Sequence, residues 1–152
     1  MGLLYKNNNR VQTEIKIYSP DSDTNMEIPL SESRVAAGFP SPAEHYSSLK
    51  LDLNKELIKN PASTFYARVK GVSMIDEGID DGDLIVIDKS LEPHNGCLAV
   101  CYIDGEFTLK RFEKQKDYGL LIPANKEYTP IKVTAENDFL IWGIVTYIIK
   151  KM

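Results

Sequence analysis

The sequence predicts a mostly β protein, an antiparallel and partly closed fold with one short helix and an extended N-terminal arm. Three observations predict it. Beyond residue 60, apolar residues fall in short runs or period-2 alternations bounded by Gly, Pro, Asn and Asp. A single window, Asp52–Lys59, carries helical spacing. Asp104-Gly105 separates two apolar runs as a two-residue hairpin turn, because both central residues of a type I′ turn need positive φ.

Composition changes at about residue 38. Residues 1–37 hold one compact apolar alternation, Ile15-Lys16-Ile17-Tyr18, in a polar stretch rich in Ser, Asn and Asp. Such a stretch cannot bury enough surface to fold alone, so residues 1–37 are expected to form an extended arm and residues 38–152 the domain. The junction, Arg34-Val35-Ala36-Ala37-Gly38-Phe39-Pro40-Ser41-Pro42, resists helix formation through its glycine and two prolines. The helix Asp52–Lys59 takes Asp52 or Asn54 as cap and stops at Asn60-Pro61, with Leu53, Leu57 and Ile58 on one face.

The strands follow in order. Thr64–Val69 alternates, placing Phe65, Ala67 and Val69 on one side, and Leu84–Ile87 is a buried β-branched run. Cys97–Ile103 and Glu106–Phe112 flank the Asp104-Gly105 turn. Gly119–Ile122, Pro130–Val133 and a long last strand, Phe139–Ile149, complete the set, with Gly143 as a bend or bulge.

The chain has 152 residues, 43% of them hydrophobic and 26% charged, enough for a packed core. Its net charge of −4 excludes a protein built to coat nucleic acid. No apolar run reaches the roughly 18 residues of a bilayer span, and the N-terminus lacks the apolar stretch of a signal peptide. A cytoplasmic location is expected. Cys97 and Cys101 sit in an apolar run without metal-type partners, which fits reduced core cysteines.

Chemistry concentrates in Gly71-Val72-Ser73-Met74-Ile75-Asp76-Glu77-Gly78-Ile79 and in Lys110. Ser73 follows a strand and a glycine, where its hydroxyl can face outward and the Val72 and Ser73 amides can meet an oxyanion. By itself a serine at a strand end reads as a turn residue. Alternation along Glu106–Phe112 puts Lys110 on one face with Thr108 and Phe112. A lysine there either snorkels to solvent or is desolvated and held neutral as a base. Lowering it from about 10.4 to about 7 takes roughly 4–5 kcal/mol at 1.36 kcal/mol per unit.

Several motifs together resemble one family. They are Ala37-Gly38-Phe39-Pro40-Ser41-Pro42-Ala43, Asp52-Leu53-Asn54, Ser73-Met74-Ile75-Asp76 with Gly78-Ile79, Asp81-Gly82-Asp83-Leu84, Asp104-Gly105-Glu106-Phe107-Thr108 with Lys110, and Leu121-Ile122-Pro123 with Asn125. In this order and spacing the stretch from Gly38 onward resembles the LexA/UmuD family of self-cleaving Ser–Lys proteins, in particular its UmuD-like branch. The resemblance implies Ser73 as nucleophile, Lys110 as general base, the Val72 and Ser73 amides as oxyanion donors and Ala37–Gly38 as the scissile peptide. It implies a homodimer, activation by a RecA–single-stranded DNA filament, and a product that serves a UmuC-type translesion DNA polymerase. No metal or cofactor is implied. Ala37 stands where the best-known member of that branch has a larger residue, although Ala–Gly is a usual junction in the family, and the arm differs in length and sequence.

Other residues read more plainly. His45 and His94 have no recognisable motif for a Ser-His-Asp triad. Asp76, Asp80, Asp81 and Asp83 fail the spacing of a calcium loop and fit turn residues. Trp142, Tyr147 and Ile149 are divided between core and a dimer surface. Two rival functions differ in class. A repressor needs a DNA-binding domain, for which 37 residues with no three-helix pattern are too few, so direct sequence-specific DNA binding is not expected. A non-catalytic polymerase-binding module would carry Ser73 and Lys110 as an idle pair.

Overall fold

Asp104 and Gly105 adopt φ of 47° and 91°, the two positive values that a two-residue reversal requires. From that turn grow β6, Cys97–Ile103, and β7, Glu106–Lys114, in continuous antiparallel register from Ile103↔Glu106 to Cys97↔Phe112. The computed structural model describes residues 16–23, 25, 27–29 and 50–152. The other strands are β1 Lys16–Tyr18, β2 Glu27–Pro29, β3 Lys50–Asp52, β4 Thr64–Arg68, β5 Leu84–Asp88, β8 Gly119–Ile122, β9 Ile131–Val133 and β10 Phe139–Ile149.

Eight strands form one antiparallel sheet in the order β1-β4-β5-β10-β6-β7-β8-β9. It is not closed into a barrel, and β2 pairs with β3 in a separate two-stranded sheet. The mostly β, antiparallel class is as expected. β10 lies at the centre, paired with β5 on one side and β6 on the other. Its register with β6 shifts between Ile141 and Gly143, which bears out the bulge expected there. A Cβ on Gly143 would lie 2.5 Å from Ile87 Cγ2, so this position holds no side chain. The bulge turns Trp142 toward Phe65 and Phe107, with ring centroids 5.0 and 5.8 Å away.

Two buried clusters follow from strand alternation. Ala67, Ile85, Ile87, Val100 and Leu109 join Val69, Met74 and Ile79 in one. Cys97, Ala99, Cys101, Leu121, Val133 and Ile144 form the other. Both cysteines are free and buried.

Some boundaries differ from expectation. Helix α1 is shorter, Leu53–Leu57, with the Asp52 carboxylate accepting from the Asn54 N–H. It ends because Ile58 turns extended and enters the core, while Leu53 stays exposed. The expected common apolar face is therefore incomplete. Pro61–Ser63 makes a short 3₁₀ turn that leads into β4. β4 ends at Arg68, but Val69 remains bonded through Asp83 O and the Gly82 N–H. β7 runs two residues beyond Phe112, because Glu113 and Lys114 pair with Leu120 and Gly119. Within residues 1–37, β1 pairs along β4 and Ile17 packs on the core, a sheet contact that an extended arm did not specify.

Candidate active site

Ser73 follows β4 and precedes the 3₁₀ turn Ile75–Glu77. Local sequence explains its placement. Gly71 has φ 101°, and its N–H donates to Asp81 Oδ1 at 2.7 Å, which closes the segment into a loop. Met74 is buried in the core and anchors the turn from inside. A second strand connection holds the serine from outside. The Ala124 N–H donates to Ser73 O at 2.9 Å, and the Asp76 N–H donates to Ala124 O at 2.8 Å.

Lys110 lies in β7 directly opposite Ala99 of β6. The small alanine leaves space over the sheet, and the lysine is only 5% exposed. Its Nζ lies 2.9 Å from Ser73 Oγ, 2.9 Å from Thr108 Oγ1 and 3.0 Å from Leu109 O. Ser73 is 3% exposed. Two residues 37 positions apart are thus in hydrogen-bond contact inside the protein.

Burial pushes the Lys110 ammonium down to about 8 from its usual 10.5, since the charged form loses its water. The opposing influence would be negative charge on Cys101. Burial pushes that thiol up to about 12, so it is uncharged at neutral pH. No carboxylate bonds to Lys110 among the described residues, and the site holds a lysine poised to lose its proton.

Val72, the other expected oxyanion residue, adjoins Ser73, and its carbonyl accepts from Asn125 Nδ2 at 2.9 Å. Ala37, Gly38 and His45 lie outside the described residues. His94 is exposed in the turn before β6. The acidic residues work as turn and ion-pair groups: Asp83 accepts from the Asp80 N–H and from Lys150, and Asp81 accepts from Gly71. Three contacts at the site were not legible in the sequence, although the residues that make the first two, Thr108 and Asn125, belong to the motifs named above. Thr108 shared a face with Lys110, which was legible, but its bond to Nζ was not. Asn125 and the Glu77–Arg111 ion pair, which ties the serine turn to β7, meet only through the fold.

A serine hydroxyl against a buried lysine amine is the arrangement that Ser–Lys serine hydrolases use. The chain belongs to the Peptidase S24-like family, whose model matches residues 29–146. Protein MucA of Salmonella typhimurium is 39% identical over 121 residues, covering 79% of this chain and 82% of that protein. Protein SamA of Salmonella typhimurium strain LT2 is 42% identical over 123 residues, covering 81% and 85%. The LexA repressor of Hahella chejuensis is 38% identical over 134 residues, covering 87% of this chain and 66% of the repressor. These similarities bear out the LexA/UmuD resemblance. Among the described residues no helix is long and apolar enough to cross a membrane.

Proposed function

We propose that this chain is a self-cleaving serine peptidase of the Ser–Lys type that removes residues 1–37 by cutting Ala37–Gly38. The observation that carries this reading is the 2.9 Å contact between Ser73 Oγ and a buried Lys110 held near pH 8.

The chemistry follows from counting hydrogen-bond sites. A neutral lysine amine has two N–H donors and one lone pair. Thr108 Oγ1 and Leu109 O accept the two donors, which leaves the lone pair for the Ser73 O–H. Lys110 takes the hydroxyl proton as Ser73 Oγ attacks the Ala37 carbonyl carbon. The Val72 and Ser73 amides receive the oxyanion. As the tetrahedral intermediate collapses, Lys110 returns its proton to the Gly38 nitrogen, and the arm remains as an ester on Ser73. Lys110 then activates the water that hydrolyses the ester. Tethering makes the arm's effective concentration high, so a weak binding pocket suffices.

In the wider reading the protein is a cytoplasmic homodimer in the DNA-damage response. A RecA–single-stranded DNA filament selects the competent arm position. The product 38–152 serves a UmuC-type translesion polymerase. Family membership and the MucA and SamA relatives support that setting. Lys110→Arg tests the mechanism, because a guanidinium keeps the cation but supplies no neutral base. A folded Lys110→Arg should not cleave at any pH, and wild-type cleavage by it would overturn the role of Lys110.

A further inference from the structure

We propose that Asn125 is a positioning residue that holds the Val72–Ser73 peptide with the Ser73 N–H directed at the oxyanion. The proposal deepens the self-cleavage reading and rests on it.

Asn125 is itself held in one orientation. Its Oδ1 accepts from the Glu127 N–H at 2.9 Å, and the Tyr128 N–H donates to its backbone O at 3.1 Å. That turn leaves the amide nitrogen to face Val72, and Nδ2 donates to Val72 O at 2.9 Å. Val72 O also accepts from the Ile75 N–H at 3.3 Å. Every peptide in the described structure is trans, so Val72 C=O and Ser73 N–H point in opposite directions across one rigid plane. Fixing the carbonyl on Asn125 therefore fixes where the Ser73 N–H points.

The clamp acts on a segment with little side-chain packing to fix it. Gly71, one residue before Val72, has φ 101° and no side chain, and Val72 is exposed. On the far side, Ala124 holds Ser73 O. The Ile122-to-Asn125 connection thus grips the serine peptide at both carbonyls. No hydrogen bond joins Asn125 to Lys110 among the described residues, so its effect should be separable from proton transfer.

Asn125→Asp and Asn125→Ala in the full-length protein test this. The aspartate keeps an oxygen for the Glu127 N–H but has no donor for Val72, while alanine loses both. Self-cleavage is followed across the pH range that titrates Lys110. For both variants the plateau rate should fall about 10- to 100-fold, less than the roughly 100- to 1000-fold for removing an oxyanion donor outright, because the Ser73 N–H is misaimed rather than lost. The pH midpoint of Asn125→Ala should stay at the wild-type value. A plateau within about twofold of wild type for both variants, or a shifted midpoint for Asn125→Ala, overturns the proposal. Labelling of Ser73 by a fluorophosphonate, read by intact mass, repeats the comparison without the arm's participation. If Ser73→Ala still cleaves, the self-cleavage reading fails. If Ser73→Ala is inert while both Asn125 variants cleave and label as wild type, only the role of Asn125 fails.

Discussion

Thr108 and Lys110 stand two residues apart on one face of β7, and Thr108 Oγ1 lies 2.9 Å from Lys110 Nζ. The hydroxyl steadies the amine, and it stabilises the ammonium more than the neutral form because charge-assisted hydrogen bonds are stronger. Thr108→Val should therefore act twice. The plateau rate of self-cleavage should fall by about 10-fold as the amine loses its orientation. The pH midpoint should move further below the wild-type value. A pH–rate profile with an unchanged midpoint and plateau would show the contact to be idle.

Lys110 also predicts a pH-dependent stability. Its folded value is about 8 and its unfolded value about 10.5, so between these limits the unfolded chain binds more protons. The Lys110 contribution to stability should rise with pH across that window, by about 3 kcal/mol at full effect. Lys110→Met lacks this group. Its stability relative to wild type should be greatest below pH 8 and decline toward pH 10.5. Urea denaturation at several pH values reads the difference, and a pH-independent difference would contradict a desolvated lysine.

Gly143→Ala should destabilise the domain by about 1–3 kcal/mol, because the new Cβ meets Ile87 Cγ2 at 2.5 Å in a fully buried layer. The bulge of β10 places Trp142, so quenching of its fluorescence should change as well. A neutral substitution would mean that β10 shifts freely past β5.

Leu140, Tyr147, Ile148 and Ile149 of β10 are 57, 38, 39 and 40% exposed, and we expect the residues at the strand's C-terminal end to meet a second copy. Sedimentation at micromolar concentration should give a dimer, and Ile149→Glu should weaken it. A monomer for wild type would remove the dimer from the account.

The long elements were legible in the sequence for physical reasons. β6, β8 and β10 are bounded by turn residues, and Asp104-Gly105 leaves few alternatives to a hairpin. The three-residue strands β2 and β3 were not, and the alternation at Ile15–Tyr18 gave no sign that β1 would pair with β4. The helix end depended on Ile58 being drawn into a core whose other members are distant in sequence. At the site, Ser73 and Lys110 were legible only through the resemblance, because spacing alone does not say that they touch. Thr108 and Asn125 act through contacts that exist only once β7 and the loop after β8 are folded.

The central claim is that Ser73 and Lys110 cut the chain between Ala37 and Gly38. Intact-mass spectrometry of purified wild-type and Ser73→Ala protein, incubated at alkaline pH, tests it most directly. Wild type should yield a fragment spanning 38–152 with Gly38 at its N-terminus, while Ser73→Ala should stay whole. A different new N-terminus, or equal cleavage of the serine variant, would contradict the account.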